Sequence, residues 1–341
     1  MNRSAHPLRV GVVGLGAMGR NHLRVLRSFP DVKVAVLVDP DPAISEIAAQ
    51  VGCAYAAGID QVDLNAAADA IVVAAPTLSH GALCNALLDR GIPMLVEKPL
   101  AVSYAEAAGL AERAARTQTL VAVGHIERHN PVVAAARAML ESGSIGEIAC
   151  ISARRLGLAP PSPIGINNVI LDIAIHDLDI ICWLYERQPQ GLLARAGRAW
   201  DIGSYDFADI LMDFGGPTGH VQANWLTPVR VRTLSITGIG GYAELDYINQ
   251  RLVLYRHHAS PTGSSFAELR ALSKSIVPEE IKVAAAEPLE RELRNFVNAV
   301  RGLEEAACKA QDGAAAVRLA ELAVRSCGLP FEPSAPFVRV S

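Results

Sequence analysis

Residues 10–22, VGVVGLGAMGRNH, set Gly14, Gly16 and Gly19 between a run of small apolar residues and the start of a helical pattern. A GxGxxG spacing is weak on its own, but between a strand and a helix it marks a dinucleotide-binding turn. Gly14 permits the tight turn, Gly16 removes the side chain that would block a pyrophosphate, and Gly19 lets helix and strand pack closely. The helix N-terminus, with its unsatisfied amides, then faces phosphate, which adds Ala17 and Met18 as expected contacts. Twenty residues past Gly19 the next apolar run ends in VLVDPD, placing Asp39 where an acid accepts hydrogen bonds from the adenosine ribose hydroxyls. Its charge repels a 2′-phosphate and neither Pro40 nor Asp41 supplies a compensating arginine, so NAD is expected rather than NADP.

Outward from this turn, Leu8 to about Gly124 repeats the same grammar. LRVGVV, VKVAVLVD, ADAIVVAAP, PMLVEKP and LVAVGH are separated by Ala-rich amphipathic stretches. Short apolar runs alternating with helical periodicity predict βαβ units and a parallel sheet buried on both faces. From about Glu147 the pattern changes to period-two segments: EIACISARRL, LLARAGRAW, FADILMDF, GHVQANWL, VRTLSITG, YAELDY and RLVLYR. These predict a large, mostly antiparallel sheet, its turns marked by FGGPTGH at 214–220 and TGIGGY at 237–242. The expected division is a Rossmann-type α/β domain over 1–124 and an α+β domain with an open sheet over 125–341. PVVAAARAMLESG bridges them as a helix, with Pro131 in its first turn and Gly143 at its C-terminus. Two more helices are expected over roughly 288–302 and 313–326, and the most linker-like stretch is GLAPPSPIGINN at 157–168.

Composition excludes several classes of function. The 341 residues carry a net charge of −4, so no global basic field attracts nucleic acid or an anionic membrane. Cys53, Cys84, Cys150, Cys182, Cys308 and Cys327 stand singly in apolar segments, without metal-ligand spacing or a disulfide framework, and read as reduced thiols of a cytoplasmic protein. The N-terminus lacks a secretory pattern, and no run approaches the ~20 apolar residues that span a bilayer. A small-molecule partner is expected.

The chemistry lies in two further stretches. MLVEKPLAVSYAEA, residues 94–107, puts Glu97, Lys98 and Pro99 at the C-terminal end of a parallel strand, where open α/β sheets bind ligands. LDIAIHDLDI, residues 171–180, sets Asp172 and His176 four residues apart, on one helical face. Asp179 falls on the same stripe, but no cysteine or second histidine there supports a metal site. Together with the glycine turn, EKP and ILDIAIHD resemble the oxidoreductase family of glucose-fructose oxidoreductase and inositol dehydrogenases, and the resemblance covers nearly the whole chain. It implies that Lys98, Asp172 and His176 act at the nicotinamide, with cofactor contacts also from Pro76, Thr77, His80 and Glu97. Hydride removal from a carbinol carbon requires a base for the hydroxyl proton. His176 and Lys98 both qualify, and the sequence leaves the choice between them open.

The stretch VGHIERHNPVV, residues 123–133, sits where the first domain hands over to the second. With ARRLG, VILDIAIHDLDI and SITGIGGYAELDYINQRLVLY, it resembles the family's branch of UDP-N-acetylglucosamine 3-dehydrogenases, although His129 stands where phenylalanine is expected. That branch implies oxidation of a sugar-nucleotide C3 hydroxyl to a ketone, which a PLP aminotransferase consumes on the way to amino sugars of lipid A or surface glycans. A diphosphate needs fixed cations, and Arg128, Arg154 and Arg155 flank the expected cleft. Strand alternation prevents 154 and 155 from sharing a face, and the resemblance favours Arg155. His125, Glu127, Arg128, Asn130, Arg155, Asn168, Asp172 and His176 are the expected substrate residues. Asn167, like Asn168, is able to hydrogen-bond a sugar; as a helix cap or turn former, an asparagine at 130 or 168 has an equally good structural role. Rival readings are a free-sugar or inositol dehydrogenase and a non-catalytic NAD-binding sensor. A homo-oligomer packed through the open sheet is also expected, on the ground that Ile210, Met212, Val221 and Trp225 need cover.

Overall fold

The computed structural model describes residues 6–157, 168–200, 203–256, 276–328 and 338–339, so Asn167 and most of the 157–168 stretch lie outside the described residues. The chain forms two compact units: Met1–His129 with Glu287–Val317, and Asn130–Ala286 with Arg318–Ser341. A single cut after residue 124 therefore does not reproduce the compact units, because the segment 287–317 returns to the first.

The first unit is built on a parallel sheet of strands β1 (Leu8–Val13), β2 (Val32–Val38), β3 (Ala54–Ala56), β4 (Ala70–Val73), β5 (Met94–Glu97) and β6 (Val121–Gly124), in the order β3-β2-β1-β4-β5-β6. The order reverses direction at β1, leaving a crevice at the carboxyl ends of β1 and β4, as doubly wound sheets do. Helices α1 (Ala17–Leu26), α2 (Ile44–Val51), α3 (Leu64–Ala67), α4 (Thr77–Asp89) and α5 (Tyr104–Thr117) connect the strands. Val10, Val12, Leu37, Val72 and Leu95 of the sheet join Leu23 and Leu26 of α1 in one core. Leu289, Leu293, Phe296 and Val297 belong to the same core. They lie on a helix over Pro288–Val300 whose i, i+4, i+7 apolar stripe brings residues 287–317 back to this unit.

The second unit begins with α6 (Pro131–Glu141) and continues through β7 (Ile148–Leu156), α7 (Ile175–Tyr185), β8 (Gly191–Gly197), β9 (Phe207–Asp213), β10 (Thr218–Asn224), β11 (Val231–Gly238), β12 (Gly241–Asp246), β13 (Arg251–Arg256), β14 (Pro278–Ile281) and β15 (Val338–Arg339). Among the described residues, the remaining α-helices are α8 (Pro288–Val300) and α9 (Ala310–Cys327). The nine strands run β14-β13-β12-β11-β7-β10-β9-β8-β15, with β7 and β10 parallel and the other pairs antiparallel. Helix α7 packs on β7 and β10, and α6 on β12 and β13. Alternation sends Ile210, Met212 and Val221 to this covered face, each without exposed surface, and Trp225 is only 4% exposed. This corrects the argument for association: these four residues are already covered within their own chain, and the open face instead carries polar groups such as Ser152, Arg154, His220, Gln222 and Glu244.

Candidate active site

At the end of β1, Gly14 adopts φ +88°, and a Cβ there would lie 2.5 Å from the Ala75 nitrogen. A Cβ at Gly19 would lie 1.8 Å from the Gly14 oxygen, so both positions require glycine. Around Gly16 the space is open, no side chain caps the first turn of α1, and Ala17 and Met18 are exposed on it. Free amides facing open space fit a dinucleotide pyrophosphate. Asp39 braces the turn, its Oδ2 accepting from the Leu15 amide at 2.6 Å and its Oδ1 from the Asp41 amide at 2.9 Å. Pro76 and Thr77 open α4 at the end of β4, on the same edge of the sheet.

Glu97 ends β5, and Lys98 follows it on a cis peptide to Pro99. Glu97 turns inward, its Oε1 2.8 Å from His22 Nε2 and its Oε2 accepting the Lys98 amide at 3.2 Å. Burial opposes the carboxylate, but the hydrogen bond and charge of His22, with Lys98 beside it, outweigh that and hold Glu97 below the usual range. The buried His80 ring lies 2.9 Å from each of the Ala75 and Pro99 carbonyl oxygens, so the geometry gives it a bracing role at this turn.

After β6, His125 is buried and a 3-10 turn over Ile126–His129 follows. Glu127 lies half-buried on it, while Arg128 donates to the Ala307 carbonyl at 2.8 Å and pairs with Asp312. His129 is driven down to about 4 by burial and by the charges of Arg291 and Arg128, so it is neutral at neutral pH.

In the second unit, Asp172 lies in a single π-helical segment, Ile170–Ala174, that runs directly into α7 and His176. Such wide turns recur at functional sites, and here both side chains stay half-buried while Asp177 and Asp179 are buried. Asn168 caps the segment, its Oδ1 accepting from the Ile170 and Leu171 amides. Trp225, just past β10, donates its indole N–H to Asp172 Oδ2 at 3.2 Å. Arg155 grips Asp177 in a buried bidentate pair at 2.6 and 2.9 Å, with Tyr247 stacked at 5.2 Å. Asn130 caps α6 through the Val132 amide and donates to the Tyr247 carbonyl. Four expected substrate residues, Arg128, Asn130, Arg155 and Asn168, thus have structural partners. Sequence reasoning missed His22, which closes the glycine stretch, and counted Trp225 only as an apolar inward residue.

The sequence profile of an oxidoreductase family with an NAD-binding Rossmann fold, GFO_IDH_MocA, matches residues 8–125, and the profile of that family's C-terminal domain matches residues 133–244. The chain belongs to the GFO/IDH/MocA oxidoreductase family. Its first unit carries the family's NAD-binding domain, and the open, uncapped glycine turn with Asp39 beside it fits that cofactor. This GFO/IDH/MocA chain is 27% identical over 319 residues to UDP-N-acetylglucosamine 3-dehydrogenase of Acidithiobacillus ferrooxidans, covering 93% of this chain and 96% of that enzyme. A solved structure of that enzyme superimposes with a TM-score of 0.80 at 25% identity, over 94% of this chain and 97% of the other. Inositol 2-dehydrogenase of Rhizobium meliloti is 25% identical over 328 residues, covering 94% of this chain and 96% of that enzyme. Among the described residues, no helix is long and apolar enough to cross a membrane.

Proposed function

We propose that this NAD-dependent oxidoreductase oxidises the C3 hydroxyl of UDP-N-acetylglucosamine to the 3-keto sugar nucleotide, with Lys98, Asp172 and His176 as the reacting side chains. The observation that carries the reading is Asp172, on a wide helical turn, and His176, at the start of the helix it runs into, both half-buried, in a chain whose nucleotide-binding domain places Lys98 directly after a strand end. NAD, when bound, supplies the two-electron acceptor for the carbinol hydride. The hydroxyl proton leaves to His176 or Lys98, either of which can take it, and a lysine or imidazolium stabilises the developing alkoxide. Asp172, oriented by Trp225, fixes the charge state of its histidine neighbour or holds a sugar hydroxyl. The similarity to the Acidithiobacillus enzyme over nearly the whole of both chains supports the sugar-nucleotide substrate. Its ketone product is then a substrate for a PLP aminotransferase that installs a 3-amino group.

The similarity to inositol 2-dehydrogenase at comparable coverage favours a second reading, oxidation of a free polyol. Incubating the protein with NAD and, in parallel, UDP-N-acetylglucosamine, UDP-glucose, N-acetylglucosamine and myo-inositol separates the two. NADH formation with loss of two hydrogens from the acetylated sugar nucleotide alone supports the proposal. Turnover of the free polyol replaces it with the second reading, and NAD binding without any turnover favours a sensor. We also propose a dimer or tetramer formed through the open sheet face, on the family resemblance alone, since the apolar residues first invoked for it are covered within their own chain; a monomeric mass by light scattering would sink it.

A further inference from the structure

The turn that carries Lys98 is gripped at three consecutive residues. Glu97 is held through its carboxylate by His22, Lys98 through its amide by Glu97, and Pro99 through its carbonyl by His80. His22 belongs to α1, the helix that opens the glycine turn, and has no exposed surface. Glu292 of α8 faces the same cluster. It is 2% exposed, and neither of its carboxyl oxygens, nor His22 Nδ1, has a hydrogen-bond partner among the described residues. Burial, reinforced by the charge of Glu97, pushes the Glu292 acid well above its usual range. Burying charge and an unsatisfied acid costs stability that an apolar core would not, and such groups gather at functional sites.

We propose that His22 is a positioning residue for Lys98, acting through Glu97: it ties the end of β5 to the phosphate-facing helix, so that lysine and cofactor turn form one rigid piece. The inference rests on Lys98 being the reacting lysine. Among the described residues, the charged and titratable groups facing Glu97 are His22 from α1, Glu292 from α8 and Lys98 itself.

The test compares the parent with His22→Ala, His22→Gln and Lys98→Met. Acetylation of Lys98 by acetic anhydride is read by peptide mass spectrometry against the exposed Lys33. The pH dependence of kcat/KM is measured on whichever of UDP-N-acetylglucosamine and myo-inositol the parent oxidises. His22→Ala is expected to lower kcat about 10- to 100-fold, the scale of a small misplacement of a reacting group. Without its partner, Glu97 protonates more readily, so the acid limb of kcat/KM moves to higher pH, and Lys98 acetylates several-fold faster relative to Lys33. His22→Gln, which keeps a neutral N–H donor, restores the acetylation ratio but not the acid limb. A His22→Ala protein that loses thermal stability while its acetylation ratio and pH profile match the parent overturns the proposal. If Lys98→Met stays active while His22→Ala still changes the acetylation ratio, the role of Lys98 fails and the positioning by His22 stands. If the parent oxidises neither compound, the acetylation ratio alone decides.

Discussion

The turn at Glu97–Pro99 and the turn at Asn168–His176 both present candidate reacting side chains, and their supports are balanced differently. The second is matched group for group: Asn168 caps its amides, Trp225 donates to Asp172, and Arg155 meets both oxygens of Asp177. The first is bound by His22 but carries a surplus acid, Glu292, with no hydrogen-bond partner among the described residues. A matched buried ion pair keeps its contribution until acid pH protonates the carboxylate, whereas a buried acid whose pKa is raised loses stability as pH rises.

That comparison is most readily broken at the reacting groups themselves. Lys98→Met and His176→Asn are each expected to lower kcat by about 10²- to 10⁴-fold, the usual contribution of proton-transfer groups. NAD affinity, followed by fluorescence titration, stays near the parent value. A variant that turns over like the parent removes its residue from the chemistry.

Stability separates the two supports next. Arg155→Met leaves Asp177 buried without its guanidinium and is expected to cost about 3–5 kcal/mol in urea unfolding. Arg155→Met with Asp177→Leu recovers most of that loss, because both charges are then gone. If the double variant is no more stable than the single one, the pair is not the matched unit described here. Trp225→Phe keeps an aromatic ring and removes one donor to a carboxylate, an interaction of about 1.5–3 kcal/mol. Its expected effect is a roughly tenfold lower kcat with a Tm lower by several degrees, and parent-like kinetics would confine Trp225 to packing.

The smallest effect belongs to the surplus acid. Because folding raises the Glu292 pKa, its contribution is fully present below the unfolded acid's pKa and is lost as pH rises toward the folded one. The loss is at most about 1.4 kcal/mol per pH unit in that window. Glu292→Gln, which cannot ionise, is expected to raise Tm at neutral pH and to flatten the pH dependence above the unfolded pKa. A variant less stable than the parent at neutral pH would show that the ionised acid has a stabilising partner.

Legibility followed the range of the physics involved. The glycine turn, Asp39 and the strand ending just before Lys98 were readable because backbone conformation and strand edges are set by local spacing. The helix carrying Asp172 and His176 was readable from periodicity, but the π segment at its start was not, since one wide turn leaves no mark in an apolar pattern. Periodicity announced a helix over 288–302 without saying which core it joins, so the return of α8 to the first unit was missed. Asn130, Asn168 and Arg155 show a further limit: a polar residue awaiting a ligand and one satisfying an amide or a carboxylate look alike in sequence. His22 and Glu97 are 75 positions apart, and only tertiary structure brings them together.

The most direct test of the proposed chemistry is a single turnover with UDP-N-acetylglucosamine carrying deuterium at C3, followed by mass spectrometry of the reduced cofactor. The account predicts NADH one mass unit heavier and a 3-keto sugar nucleotide without the label. Reduced cofactor of ordinary mass, with deuterium retained in the sugar, would contradict oxidation at C3.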